Sequence, residues 1–441
     1  MIPSNKMFLF SYFFIIITAG TVLLSLPAAW PGEGGISLID ALFTSVSACC
    51  VTGLITVNTA DFTVAGQIII LLLIQCGGLG IITFTTIYLT SWRKKISLTS
   101  RMIVKDYYVD SIEYDPKKII RNILLLTFTM EALGMFFLYI GFKNGGLAEP
   151  FFPAVFHSVS AFCNAGFSLF PNSFENYNGA HLILGTLMVL IIIGGIGFVA
   201  IQDVLHKIIR NRYRLSLHTK VVLFSTAGLI IIGAVIYFLL EKNNAFQNMN
   251  LGAKISSAFF QSVVPRTAGF NSVSQSGLTA PSQYLTTLYM FIGGAPGSIA
   301  GGVKVTTFFI VLVIALKGID PGGDVNIMNR KISGNSLAKA SNFLIKAVFL
   351  LLIYLFMFIV SETFISHKNF SFMEMMFEVF SAFGTVGLSQ GITGSLTSLG
   401  KIIIIITMFT GRVGIISIIM PKPETYTERF VDYPSGDVLI G

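Results

Sequence analysis

Long apolar runs alternate with shorter, moderately apolar segments, and the alternation repeats four times along the chain. A hydrocarbon core roughly 30 Å thick demands about 20 apolar residues of a helix. The pattern predicts long helices near 7–29 and 65–90, with a short one near 38–50 between them. The same order recurs near 119–141, 151–163 and 181–208, then near 220–241, 252–264 and 283–316, and again near 340–363, 370–382 and 396–419. The short segments fall below spanning length, so they are expected to re-enter the membrane from one face. Non-helical backbone after them is acceptable only where it lines a cavity. The expected fold is an all-α polytopic membrane protein: four tandem helix–pore helix–helix units with pseudo-fourfold symmetry around a central pore. Units one and two are expected at 1–92 and 93–212, the latter including its preceding linker. Unit three, with an interrupted second helix, is expected at 213–322, unit four at 323–420, and a C-terminal tail at 421–441.

Each short segment runs into a related turn: SVSACCVTGLITVNT, SVSAFCNAGFSLF, FFQSVVPRTAGFNSV and FEVFSAFGTVGLSQG. The shared glycines, Gly53, Gly166, Gly269 and Gly387, stand 113, 103 and 118 residues apart, each before a large apolar residue. Glycine reaches backbone conformations closed to other residues, which frees carbonyl oxygens to point at an axis. Rings of such carbonyls replace the hydration shell of a monovalent cation. A helix C-terminus aimed at the same point favours positive charge. The turns are nearly free of acidic residues, which argues against a carboxylate site for a divalent ion. Close helix packing explains any one glycine equally well; four in equivalent contexts favour a pore. Asn164, Thr267 and Thr385 lie two residues before their glycines and add side-chain oxygens. Thr52 is adjacent to Gly53, so Val51 is the positional match in unit one.

Composition narrows the class further. Hydrophobic residues make up 54% of the 441 and charged residues 11%, against about 25% charged in soluble proteins. The segment from Met7 to Leu26 lacks a strongly basic start and reads as a retained helix rather than a signal peptide. Basic residues concentrate in and beside the loops joining the helices of successive units: Arg93, Lys94, Lys95, Arg101 and Lys105 between units one and two, Lys207, Arg210, Arg212 and Arg214 between two and three, Lys317, Arg330, Lys331 and Lys339 between three and four. Inter-unit loops and both termini are therefore expected on the cytoplasmic side. All four units then share one orientation, which opposes the inverted repeats frequent in alternating-access transporters. Such a transporter and a non-transporting membrane scaffold are the alternatives to a pore. The net charge of +8 needs no nucleic-acid partner, since its surroundings are lipid. Cys49, Cys50, Cys76 and Cys163 sit in apolar stretches without metal-ligand spacing and are expected to be buried free thiols. There is no phosphate-binding GxxxxGK[ST] loop, the loops are too short for a nucleotide-binding domain, and no enzymatic activity is expected.

The second long helix of unit three carries YMFIGGAPGSIAGGVKVTTFF. Pro296 and the surrounding small residues require a kink or break. The run Gly293, Gly294, Ala295, Pro296, Gly297, Ser298, Ile299, Ala300, Gly301 and Gly302 is expected to form a flexible loop across the pore, a gate; a fixed packing kink is the alternative. The matching helices of the other units are expected to stay helical. Arg412, in TMFTGRVGIIS, is costly in lipid and is expected to face the bundle interior, with snorkelling as the alternative. Glu131 and His157 are expected in structural roles, Arg266 near the outer mouth, and Lys304 in a cavity near the gate.

These features together resemble the Trk/Ktr/HKT superfamily of potassium transporters, most of all the bacterial Ktr-type membrane subunit. The resemblance implies potassium uptake, often sodium-dependent, with K+ in the pore, Na+ as an activating ion and no covalently bound cofactor. By the family pattern Gly53, Gly166, Gly269 and Gly387 are the filter glycines. The flanking residues Cys50, Val51 and Thr52, Cys163, Asn164 and Ala165, Arg266, Thr267 and Ala268, and Gly384, Thr385 and Val386 supply the oxygens. Val51, Asn164, Thr267 and Thr385 are the expected potassium-binding positions. No filter glycine is replaced by serine, which favours potassium. The resemblance places Arg412 below the filter beside the interrupted segment. It also implies a homodimer in the bacterial cytoplasmic membrane, with Val438–Gly441 near the dimer interface, resting on a ring of RCK-type nucleotide-binding regulatory subunits.

Overall fold

Three of the four short helices start on a side-chain cap that satisfies amide groups a helix start leaves free. Ser37 caps α2 (Leu38–Cys49), Asn250 caps α9 (Leu251–Val263), and Ser371 with Glu374 forms a capping box on α13 (Phe372–Gly384). The other short helix is α5 (Phe151–Phe162), preceded by Pro150. The computed structural model describes residues 4–32, 35–91, 116–209, 214–318, 320, 324–328, 330–332 and 334–414. The tail 421–441, Arg93 to Lys105, and Arg210 and Arg212 lie outside them.

Each short helix packs against long helices of its own unit. These are α1 (Ser4–Leu24) and α3 (Val64–Ser91), then α4 (Pro116–Asn144) and α6 (His181–Ile196), then α8 (Leu217–Glu241), and finally α12 (Gly334–Ile359) and α14 (Ser398–Phe409). The interrupted helix of unit three is α10 (Ala280–Phe291) and α11 (Val305–Lys317). Contacts between units run in a cycle: α3 with α4, α6 with α9, α10 with α13, and α14 with α2. Among the described residues, Ile120–Asn144, Leu217–Glu241 and Gly334–Ile365 are each long and apolar enough to span a membrane. Their outward faces carry exposed Phe128, Phe136, Phe224, Ile231, Phe349 and Phe356. Such a belt is stable against lipid and would be an aggregation surface in water.

The structure departs from expectation in several places. The helix expected over 181–208 is broken: α6 meets α7 (Phe198–Ile209) at 102°, with Gly197 at φ +88° between them. A residue with a Cβ resists that conformation. Two π-helical turns, Val360–Ile365 and Thr410–Gly414, extend α12 and α14. Between α11 and α12 a short antiparallel hairpin forms from β1 (Val325–Ile327) and β2 (Arg330–Ile332). There a hydrogen bond from Lys331 holds the Asp324 carboxyl below the usual carboxylate range. Cys49, Cys50 and Cys163 are buried free thiols, but Cys76 is exposed on the outer face of α3.

One ion pair joins the last unit to the first. Lys401 in the first turn of α14 lies 2.6 Å from Asp40 in the first turn of α2, with side chains only 12% and 16% exposed. Asp40→Asn and Lys401→Met are each expected to destabilise the fold by about 1.5–3 kcal/mol, as for a hydrogen bond to a charged group. Thermal unfolding in detergent checks this, and the double mutant should cost less than the sum of the two.

Candidate functional site

The four turns after α2, α5, α9 and α13 repeat one backbone conformation. Val51, Asn164, Thr267 and Thr385 all have positive φ, at 55°, 56°, 73° and 50°, as do Gly53, Gly166, Gly269 and Gly387 two residues later. The residues between them, Thr52, Ala165, Ala268 and Val386, do not. For valine and threonine this region is costly, so the surrounding structure must impose it. The amide groups are tied back to the short helices: Thr52 N to Ser47 O at 2.8 Å, Ala165 N to Ser160 O at 2.7 Å, Ala268 N to Val264 O at 3.0 Å and Val386 N to Ser381 O at 2.8 Å. With donors committed to the helix ends, the carbonyl oxygens are the groups left to face one another.

They meet in a closed ring. A Cβ built on Gly53 would lie 2.3 Å from Ala165 O, one on Gly166 2.9 Å from Ala268 O, one on Gly269 2.4 Å from Val386 O, and one on Gly387 2.3 Å from Thr52 O. Each turn therefore abuts the next at a distance only glycine permits. Val51, not Thr52, is the unit-one counterpart of Asn164, Thr267 and Thr385. Cys50 and Cys163 cap the ends of α2 and α5. Gly384 ends α13, where a Cβ would lie 2.2 Å from Met290 O.

The polar side chains around the ring differ between units. Turned so that its nitrogen donates to Ile191 O at 3.3 Å and Ala161 O at 3.1 Å, the Asn164 amide presents its oxygen to Thr267 Oγ1, 3.4 Å away. Thr52 Oγ1 and Thr385 Oγ1 are buried without a protein partner. Arg266 does not sit at the mouth: its buried guanidinium donates to Thr226 Oγ1 of α8 at 3.4 Å, bracing the turn from behind. His157 is held by Pro153 O at 2.7 Å and Ser168 Oγ at 3.0 Å and stacks on Phe170. The Glu131 carboxylate accepts from Gln75 at 3.3 Å, and its backbone carbonyl accepts from Ser158 Oγ at 2.6 Å.

The loop between α10 and α11 lies against this ring. A Cβ on Gly301 would meet Thr385 Oγ1 at 2.1 Å, and Ile299 packs beside Gly78 and Cys163. Hydrogen bonds pin the loop on several sides: Ala295 N to Gly195 O at 2.8 Å, Ile299 N to Gly194 O at 3.2 Å, and Gly293 N to Val303 O at 2.8 Å. Lys304 folds back on it, Nζ donating to Ala300 O at 2.6 Å. Arg412, in the π-helical turn, donates to Ile299 O and, at 3.0 Å, to Gly77 O. Its position is interior rather than snorkelling. The loop is thus a mostly buried, hydrogen-bonded segment.

The sequence did not reveal the role of the serines on the short helices, nor what the mid-span glycines of the inner helices touch. Ser47 and Ser381 Oγ accept the Gly53 and Gly387 amides, each at 3.1 Å, while Ser160 Oγ donates to Phe167 O at 2.8 Å. A serine six positions before the glycine is the available signal, and unit three has Val263 there. Gly77, Gly194 and Gly411 let the inner helices touch the last carbonyls of the short helices; their Cβ atoms would lie 1.9, 2.1 and 2.1 Å from Cys49 O, Phe162 O and Phe383 O.

Residues 6–425 match the family model for TrkH, described as a cation transport protein. The Ktr system potassium uptake protein B of Bacillus subtilis is 36% identical over 433 residues, covering 97% of this chain and 95% of that one. The potassium/sodium uptake protein NtpJ of Enterococcus hirae is 34% identical over 437 residues, with 97% and 95% covered. The crystal structure of the potassium transporter TrkH from Vibrio parahaemolyticus superimposes with a TM-score of 0.71 at 18% identity, covering 92% of this chain and 83% of that one.

Two glycine-to-alanine substitutions test the ring's packing against a control. Gly53→Ala should lower the detergent melting temperature strongly, since it combines φ +91° with a carbonyl 2.3 Å from the new Cβ. Gly228→Ala, on α8 with nothing within 4 Å, should be neutral or stabilising by up to about 1 kcal/mol.

Proposed function

This chain belongs to the TrkH family of cation transport proteins, and from that premise we propose that it takes up potassium through a channel-like pore whose selectivity filter is the glycine ring. It is a membrane transport protein, not an enzyme. The observation that carries the reading is the cyclic approach of Gly53, Gly166, Gly269 and Gly387 to the carbonyls of their neighbours. Backbone oxygens from four turns converge there, with their amides held by the short helices. A dehydrated monovalent cation needs that arrangement. The αL positions Val51, Asn164, Thr267 and Thr385 form the layer beneath. The unpartnered hydroxyl of Thr385 supports an additional oxygen for the ion there. Potassium as cargo is supported by the names of the relatives, and sodium as an activating or co-transported ion by that of the E. hirae protein.

The loop 293–302 is the gate in this reading. It lies under the ring, and its pinning residue Arg412 puts a fixed positive charge on the cation path. A cation leaving the filter meets both the Ile299 side chain and that charge. The basic connectors put the loop on the cytoplasmic side, with both termini there as well. The Ktr system named for the relatives supports a regulatory partner subunit for this chain. An RCK-type ring and a homodimeric assembly are our reading of that partnership.

Gly269→Ser, whose Cβ would lie 2.4 Å from Val386 O, is expected to lower the melting temperature and, in the protein that assembles, to lower the potassium-to-sodium uptake ratio by about tenfold. Radiotracer uptake in a potassium-uptake-deficient host measures it; unchanged selectivity would sink the filter reading. Arg412→Gln, or shortening 297–302, is expected to raise cation flux in vesicles, and unchanged flux with normal assembly would sink the gate reading.

A further inference from the structure

The α6–α7 bend is tied directly to the gate loop. The amide of Phe198, the first residue of α7, donates to Gly297 O at 3.1 Å, and a Cβ on Gly197 would lie 2.7 Å from Pro296 O. Further along, the buried Asp203 carboxylate accepts from Ser216 N and Ser216 Oγ, both at 2.9 Å, at the cap of α8. The helix is therefore fixed at one end to the loop and in its middle to the next unit.

Its amphipathicity is inverted relative to a helix on a water-soluble protein. Val199, Ala200 and the polar Asp203 face inward, whereas Leu205, Ile208 and Ile209 are 44%, 72% and 76% exposed. The 16 residues of α6 cover about 24 Å at 1.5 Å per residue, most of a hydrocarbon core roughly 30 Å thick. A turn of 102° at that depth lays α7 along the far membrane boundary, where its apolar face continues the lipid-facing belt. Lys207 lies in the last turn of α7, and Arg214 opens the next described stretch, which gives this end of the helix the basic character expected beside anionic headgroups.

We propose that α7 is an interfacial helix seated in an anionic cytoplasmic leaflet, and that its Phe198–Gly297 link makes the gate loop respond to that lipid surface. A helix drawn toward the headgroups pulls on Gly297, whereas one released from them leaves the loop held only by its other contacts. The inference rests on the gate reading of loop 293–302 for its coupling step, but not for the lipid seat.

Two measurements on the full chain in vesicles test it. A nitroxide at position 208, placed by Ile208→Cys in a Cys76→Ala background, should collide with oxygen and not with a water-soluble nickel chelate. Nickel access, or shielding from both because a second copy covers the face, overturns the lipid seat. Rubidium flux is then compared between phosphatidylcholine vesicles and vesicles containing phosphatidylglycerol. It should change by about fivefold, the effect of one basic side chain meeting an anionic headgroup. Phe198→Pro, which keeps a residue suited to a first helical position but removes the N–H, should flatten that dependence; Phe198→Ala, which keeps the N–H, should retain it. Ile208→Asn/Ile209→Asn should flatten it without touching the loop. Equal flux of the unmodified chain in both lipids, or a Phe198→Pro variant that stays lipid-sensitive, overturns the coupling. If the shortened-loop variant still raises flux in those vesicles, only the coupling has failed; if it does not, the gate reading has failed.

Discussion

Four backbone turns approach one another so closely that no side chain fits between them. Each of the four glycines lies against the carbonyl of the turn beside it, and the distances leave no room for a Cβ. Much of the remaining architecture serves this approach. The short helices supply carbonyls and hydroxyls that hold the turn amides, and their N-terminal caps fix where those helices begin. The inner helices carry glycine where they meet the short-helix ends. The Asp40–Lys401 ion pair joins the two units furthest apart in sequence. Left-handed valine and threonine are tolerated at the ring because these contacts over-determine them.

The layer below the ring is held by different means. Loop 293–302 has no helix of its own; it is held by backbone bonds to α6, by Arg412, and by burial of Ala295 and Ile299 among apolar neighbours. Arg412 bridges two elements, donating to one carbonyl of the loop, Ile299 O, and to one of α3, Gly77 O. The π-helical turn that carries Arg412 is the kind of local irregularity that recurs at functional sites.

What the sequence revealed follows from which signals are local. The four glycines were legible because a glycine after a short apolar helix has few other reasons to recur. The break at Pro296 was legible because proline removes a donor and clashes with the helix. The second break, at Gly197, was not: IIIGGIGFVAI is continuous in hydropathy and lacks proline. Its bend is imposed by docking on Gly297, a contact across about a hundred residues of chain. Ser47 and Ser381 were missed because a serine on an apolar helix reads as a small packing residue. Arg266 was misplaced because its neighbours in sequence lie at the ring while its guanidinium reaches α8. Cys76 was expected inside with the other thiols, yet its helix turns it outward.

The central claim is that the carbonyls beside the four glycines hold a dehydrated monovalent cation. Anomalous diffraction from crystals of the full chain grown with rubidium in place of potassium tests this directly. The account predicts anomalous peaks on the axis enclosed by the carbonyls of Thr52, Ala165, Ala268 and Val386. Rubidium bound elsewhere, with that axis empty, would contradict it.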